Sequence, residues 1–73
     1  MIDLEKVGLS IRETRKRARK SVPQTAMNTG ISKNVIYAYE RGEVNPGLLN
    51  LCLLSEYYGV TLEKLIFGGG KHE

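Results

Sequence analysis

Apolar residues recur at helical spacing along most of this chain, and the pattern predicts five helices. β-branched residues never alternate with polar ones over a useful length, so no strand is predicted. The first predicted helix runs from about Asp3 to Arg19 and carries Val7, Ile11 and Ala18 on its inner stripe. The pattern therefore favours an all-α fold.

Capping signals divide the middle of the chain into two short helices. Ser21 and Gln24 form a capping box at the start of the second helix, and Gly30 is a natural left-handed stop at its end. Ser32 caps a third helix, which extends to Arg41. Only Gly-Ile-Ser separates the two, and helices joined by so short a turn form a helix-turn-helix motif.

Two more helices are predicted in the second half of the chain. Asn45 is expected to cap the fourth helix, with Pro46 as its first residue and Gly59 at its end. Thr61 caps the fifth helix, which extends to Phe67. No internal repeat or linker interrupts this series.

A length of 73 residues suits one domain with a thin core. We expect residues 1–67 to form that domain and residues 68–73, GGGKHE, to be a flexible tail. Cys52 and His72 are the sole cysteine and histidine, so the chain has neither an internal disulfide nor a zinc ligand set. Cys52 lies in an apolar run and is interpreted as a small buried hydrophobic residue. No cofactor or metal is expected.

The location of the protein is predicted from what the chain lacks. No apolar stretch approaches the roughly 20 residues that a membrane span requires, so no membrane partner is expected. The start MIDLEKVGLS does not combine a basic region with an apolar core, as a secretory signal does. A cytoplasmic protein is predicted.

The basic residues are concentrated in one segment of the chain. The net charge is +3, and residues 12–20 hold six basic side chains against one acidic. Such asymmetry is typical of a surface that binds nucleic acid. The charge by itself favours the simpler alternative, a solvated helix face.

The third helix has one face that is small, polar and basic. Ile36 and Tyr39 fall on the opposite side, which is expected to face the core. Lysine suits the acceptor atoms of guanine and asparagine suits adenine, so this face predicts a recognition helix for the major groove of double-stranded DNA. The candidate base-contacting residues are Lys33, Asn34, Tyr37 and Ala38. A merely solvated face is the alternative.

The segment GISKNVIYAYERGEVNP resembles the turn, recognition helix and following loop of the lambda-repressor-like, or Cro-type, helix-turn-helix family. This is also called the xenobiotic-response-element family. Its pattern is matched by Gly30, Ile31, Ser32, Ile36, Glu40, Arg41, Gly42 and Pro46. VGLSIRETRKRARKS resembles the first helix of the family, and LLNLCLLSEYYGVTLEKLIFG resembles the last two. The resemblance covers residues 7–67 and implies a compact five-helix domain that binds operator DNA, usually as a dimer.

The resemblance also assigns roles to residues outside the base-reading face. It implies a structural ion pair between Arg15 and Glu40, which is plausible because a carboxylate on the inward side of a helix needs a partner. It places the start of the second helix and the end of the third near the DNA backbone. The candidate backbone contacts are Arg19, Lys20, Ser21, Gln24, Arg41 and Asn45.

The sequence departs from the family pattern around the second helix. Val22 stands where the family usually has a glutamine that contacts DNA, so one polar contact is expected to be missing. Several core leucines of the family are replaced by Thr14, Lys20, Thr25 and Thr29. We expect Val22 and Met27 to compensate in part for the lost apolar area, and we predict that the second helix is the least stable element.

A stripe of the fourth helix exceeds what a monomer core requires. Leu49, Leu53 and Tyr57 recur every four residues, off the main inward face. One alternative is that the N-terminal Ile2, Leu4 and Leu9 cover them. The other is a dimer interface, which Ile66 and Phe67 would join.

Taken together, these features predict a sequence-specific DNA-binding transcriptional regulator that acts as a homodimeric repressor on a palindromic operator. Such a protein would be nucleoid-associated when bound to DNA. The alternative is a protein-interaction module of the same fold, as in antitoxins or adaptors. An enzyme is not expected, because no nucleophile has a histidine to activate it and no paired carboxylates share a plausible cleft. No small-molecule effector is expected either.

Overall fold

The computed structural model describes residues 2–68, which form five helices and no strand. The helices are α1 (Leu4–Arg17), α2 (Val22–Thr29), α3 (Lys33–Glu40), α4 (Leu48–Tyr58) and α5 (Leu62–Phe67). None of these five helices is long and apolar enough to cross a membrane. The all-α prediction is confirmed. Apart from Gly68, the expected tail lies outside the described residues.

The predicted caps of α2 are present. The Ser21 hydroxyl accepts from the Gln24 amide at 3.1 Å, and the Gln24 side chain accepts from the Ser21 amide at 2.9 Å. Gly30 ends the helix with φ 81°, in the left-handed region where a side chain is strained. Ser32 and Thr61 cap α3 and α5 in the same way, through their hydroxyls. These bonds join residues three apart, so the sequence specifies them locally.

The predicted start of α4 is wrong. Gly47, and not Asn45, is the N-cap, and the helix begins at Leu48. Pro46 is buried in the preceding loop, where it lines a cleft with Leu51. Pro46 therefore belongs to a packed loop, and the helix begins two residues later than its sequence signal predicts.

The first helix also ends earlier than predicted, at Arg17. Ala18 is its C-cap, and Arg19 follows with φ 60°, in the left-handed region. The Lys20 amide then donates to the Arg15 carbonyl. This left-handed residue turns the chain from α1 into α2 within four residues.

The core lies where α1 packs on α3 and α5, and α2 packs on α3 and α4. Its fully buried side chains are Ile11, Thr25, Ile36, Leu54 and Leu65. The Thr25 hydroxyl donates to the Ser21 carbonyl of its own helix at 2.9 Å, so its burial leaves no unpaired donor. Val22 is buried, as expected, but Met27 is 85% exposed and adds nothing to the core. The two residues lie on different faces of α2, and only one face meets the other helices.

Cys52 is exposed, and the prediction of a buried cysteine is wrong. The inward face of α4 consists of Leu54, Ser55 and Tyr58. Apolar residues occupy most other positions of this helix as well. Hydrophobicity alone therefore does not indicate which of its faces is inward.

The close approach of α1 and α3 depends on Gly8. A Cβ atom at this position would lie 2.7 Å from the carbonyl oxygen of Glu40, and it would also strike the carbonyl oxygen of Tyr39. The missing side chain lets the two backbones touch. This contact brings the later turns of α1 beside the end of α3.

Candidate nucleic-acid interface

The outer face of α3 is open along its whole length. Lys33, Asn34, Tyr37 and Arg41 are exposed on it, and Ala38 is half-buried. On the opposite side Ile36 is completely buried and Tyr39 nearly so. The structure therefore brings the four candidate base-contacting residues together on one accessible surface.

Two anchors hold α3 in place beneath that face. Asn50 of α4 donates to the Tyr39 hydroxyl at 2.7 Å. In the turn before α3, Ile31 is buried and its amide donates to the Thr29 hydroxyl at 3.2 Å. The Ile31 side chain thus anchors the α2–α3 turn in the core and helps to set the orientation of the exposed face.

Arg15 and Glu40 form an ion pair with two hydrogen bonds, and both side chains are largely buried. Nε of Arg15 lies 2.7 Å from one carboxylate oxygen and Nη2 lies 3.0 Å from the other. The side chains are only 12% and 6% exposed. The hydrogen bond to Glu40 raises the pKa of Arg15, against the opposing effect of burial. Nη1 also donates to the Lys20 carbonyl at 3.0 Å, so one guanidinium links α1, α3 and the turn before α2.

The residues expected at the DNA backbone are exposed or half-buried, but several of their polar groups have internal partners. Ser21 and Gln24 use their side chains on one another in the capping box. The ammonium group of Lys20 lies 5.2 Å from the centroid of the Tyr57 ring, within cation–π range. Arg19 and Asn45 are exposed. The start of α2 is consequently less open to an anion than its position suggests.

Arg41 has a partner that the sequence reasoning did not identify. Its Nε and Nη2 lie 2.8 and 3.0 Å from the two carboxylate oxygens of Glu43. Both side chains are more than half exposed. The hydrogen bond to Arg41 lowers the pKa of Glu43 and raises that of Arg41. The only sequence signal for the pair is opposite charge on either side of Gly42.

The candidate dimer residues do not form one continuous patch. Leu49 is 75% exposed, so the N-terminal residues do not cover it. Leu53 and Tyr57 are half-buried, and the Tyr57 hydroxyl accepts from Asn28 of α2 at 3.2 Å. Ile66 and Phe67 face another side of the domain, where they line a cleft with Ile2, Lys6 and Val7.

Comparison with known proteins identifies the family. Residues 11–65 match the sequence model of the helix-turn-helix family, and this span is most of the chain. The chain belongs to that family, and its resemblance to the lambda-repressor-like type is confirmed.

Among curated proteins, the chain is similar to HTH-type transcriptional regulatory proteins from two strains of Methanococcus maripaludis. The identity is 37% over 57 residues, which cover 78% of this chain. They cover 18% of each relative, so this chain spans less than a fifth of the relatives' length.

Two solved structures share the arrangement of helices. The restriction-modification controller protein C.AhdI from Aeromonas hydrophila is 28% identical, with a TM-score of 0.82 over 86% of this chain and 96% of that one. The S. venezulae BldD DNA-binding domain superposes with a TM-score of 0.78 over 88% of this chain and 96% of that one. At 23% identity the BldD likeness concerns the fold alone.

Proposed function

We propose that this chain is the DNA-binding domain of a transcriptional regulator and that α3 reads the major groove. The observation that carries the proposal is the open, polar and basic face of α3 on a helix-turn-helix scaffold. The chain belongs to the helix-turn-helix family, and the curated relatives carry the name of transcriptional regulatory proteins. An acidic or apolar face on α3 would have favoured a protein partner instead.

The residues of α3 have distinct roles in this proposal. Lys33 and Asn34 lie in the first turn, which enters the groove first in this motif. Lysine donates to O6 and N7 of guanine, and asparagine bonds to N6 and N7 of adenine. Tyr37 and Ala38 follow one turn later. Ala38 contacts a thymine methyl group, and Tyr37 contacts a thymine methyl group, a sugar or a phosphate.

Backbone phosphates are assigned to the residues that flank this face. They are Arg19, Lys20, Ser21, Gln24, Arg41 and Asn45. Each phosphate neutralised by a lysine or arginine steepens the salt dependence of binding by about 0.9 log unit per log unit of salt. Val22 is buried, so it does not replace the DNA-contacting glutamine that the family usually has here.

We further propose that the regulator is a homodimeric repressor on a palindromic site. Leu48 and Leu49 are 68% and 75% exposed on α4, an apolar area that a second copy would bury. A two-fold dimer presents its recognition helices about 34 Å apart, one turn of DNA, and so doubles the contact with a symmetric operator. Occupying a promoter is the means of repression open to a DNA-binding domain.

Selection of DNA sites tests the proposal directly. The wild type and Asn34→Ala are each incubated with random-sequence duplexes, and the selected sites are then measured against salt. We expect the wild type to select a palindrome and Asn34→Ala to lose about 1–3 kcal/mol of discrimination at particular positions. The control is Asn28→Ala, the same change on α2, where the side chain contacts Tyr57.

The outcomes separate the alternatives. Weak, unselective binding that Asn34→Ala does not change would exclude a base-reading role for α3. Equal effects of Asn34→Ala and Asn28→Ala would point to a loss of folding.

The dimer is tested separately by sedimentation of Leu49→Lys, with Met27→Lys as control. Both wild-type side chains are at least 75% exposed, but they lie on different helices. We expect the wild type and Met27→Lys to sediment as dimers and Leu49→Lys as a monomer. Dimers in all three would place the interface elsewhere.

A further inference from the structure

A cleft between α1 and α3 adjoins the open face of α3. Its walls carry Arg12 and Arg15 from α1, and Tyr37, Glu40 and Arg41 from α3 and its C-cap. The cleft has a volume of about 300 Å³. Tyr37 and Arg41 also belong to the open face, so the cleft is continuous with the surface proposed to meet DNA.

The charges that line this cleft are not equivalent. Arg15 and Glu40 neutralise one another through their buried bonds. Arg41 is engaged with Glu43 outside the cleft. Arg12 is exposed, and no carboxylate of residues 2–68 lies within 4.0 Å of it. Arg12 is thus the cation of this cleft whose charge no described carboxylate neutralises.

We propose that the cleft binds a phosphate group and that Arg12 is its principal ligand. A guanidinium matches a phosphate with two parallel N–H donors, and Tyr37, whose hydroxyl is a further donor, lines the same cleft. The phosphate belongs to the backbone of the duplex that α3 enters, and in this respect the inference rests on the proposed function. Arg12 is absent from the contacts that the sequence indicated.

The internal contacts of Arg41 and Lys20 strengthen this assignment. A phosphate reaches Arg41 only in competition with Glu43, and it reaches Lys20 in competition with the Tyr57 ring. Arg12 has no such described competitor. It therefore contributes to the salt dependence of binding without first giving up an ion pair.

The experiment compares the wild type with Arg12→Gln and with Arg17→Gln as a matched control. Both arginines are exposed on α1, and both changes remove one positive charge. Arg17 lies on the other side of the helix, where it lines a cleft with Val60, in the turn before α5, and Lys64 of α5. Duplex affinity is measured between 50 and 200 mM salt, and binding of inorganic phosphate is followed by the backbone amide signals of α1 and α3.

We expect Arg12→Gln to reduce the salt slope by about 0.9, which lowers the change in affinity over this range by about 3.5-fold. Arg17→Gln is expected to leave the slope near that of the wild type. If only the response to inorganic phosphate disappears in Arg12→Gln, the site is supported but its phosphate is a free one. If Arg12→Gln and Arg17→Gln agree in both measurements, the inference is overturned.

The two proposals fail in distinguishable ways. A wild-type protein that selects and binds a duplex, together with an Arg12→Gln variant that behaves like Arg17→Gln, refutes the phosphate cleft and leaves the proposed function intact. A wild type that binds no duplex refutes the proposed function. The phosphate titration then decides the cleft by itself.

Discussion

Replacing Glu40 with glutamine tests how much the buried ion pair contributes to the stability of the domain. The substitution keeps the shape of the side chain but removes its charge. Arg15, only 12% exposed, is then left without its carboxylate. Glutamine has one amide oxygen in place of two carboxylate oxygens, so it cannot accept both of the hydrogen bonds that Arg15 donates to Glu40 on separate oxygens.

The expected loss follows from burial. Removing one partner of a buried ion pair costs about 3–5 kcal/mol, because the remaining charge is desolvated and uncompensated. Glutamine still accepts one hydrogen bond, so we expect about 3 kcal/mol. A chain of 73 residues has a total stability of about 4–11 kcal/mol. The variant is therefore expected to keep about 1–8 kcal/mol and to remain folded without denaturant.

Glu43→Gln is the matched control, because the Arg41–Glu43 pair has nearly the same geometry. Its two bonds measure 2.8 and 3.0 Å, against 2.7 and 3.0 Å in the buried pair. Exposed ion pairs contribute little to stability because water screens their charges, so Glu43→Gln is expected to leave the free energy of unfolding nearly unchanged. The comparison isolates the effect of burial from that of hydrogen-bond geometry.

Urea unfolding followed by far-UV circular dichroism measures both variants. With a denaturant slope of about 1 kcal/mol/M, a loss of 3 kcal/mol lowers the midpoint by about 3 M. A Glu40→Gln midpoint within about 1 M of the wild type would refute the reasoning. So would an equal shift in Glu43→Gln.

Three further predictions follow from the packing. Gly8→Ala is expected to cost at least about 1 kcal/mol in urea unfolding, because the added methyl group meets two backbone carbonyls and this outweighs the better helix propensity of alanine. Gly47→Ala is the control, since a Cβ atom there meets nothing within 4 Å. Equal stabilities of the two variants would contradict the close contact at Gly8. Cys52 is expected to react with a thiol reagent as fast in the native protein as in urea, and strong native protection would indicate that it is covered. Burial raises the pKa of Tyr58, against a smaller opposing effect of its hydrogen bond to Thr25. The protonated Tyr58 side chain favours the folded state; this contribution is complete below pH 10, the ordinary tyrosine pKa, and is lost as the pH rises through the higher folded-state pKa. The loss of stability at alkaline pH should therefore be less steep in Tyr58→Phe. An unchanged pH profile would contradict the assignment.

The elements whose bonds are local could be predicted from the sequence. The capping box of Ser21 and Gln24, the stop at Gly30 and the cap at Ser32 join residues within three or four positions. Residues so close in the chain are also close in space, so the sequence pattern alone identifies these hydrogen bonds. The open face of α3 was predictable for a related reason, since one polar stripe faced a clear apolar one with Ile36.

Features that depend on the shape of a turn or on the crossing of two helices could not be predicted from the sequence. Glu43 pairs with Arg41 through a turn whose shape depends on Gly42, and charge alone did not specify that pairing. The cleft that exposes Arg12 beside Tyr37 exists because α1 crosses the end of α3. No spacing within one helix encodes that crossing.

The sequence by itself determined five helices, the N-caps at Ser21 and Ser32 and the polar face of α3, because helical periodicity and capping are local properties of the chain. Only the tertiary structure decided which side of α4 is buried, because apolar residues lie on most sides of that helix and their spacing does not distinguish an inward face. It therefore decided that Cys52 is exposed and that Pro46 remains in a packed loop. Burial is a property of neighbouring elements, and it becomes defined only when those elements are assembled.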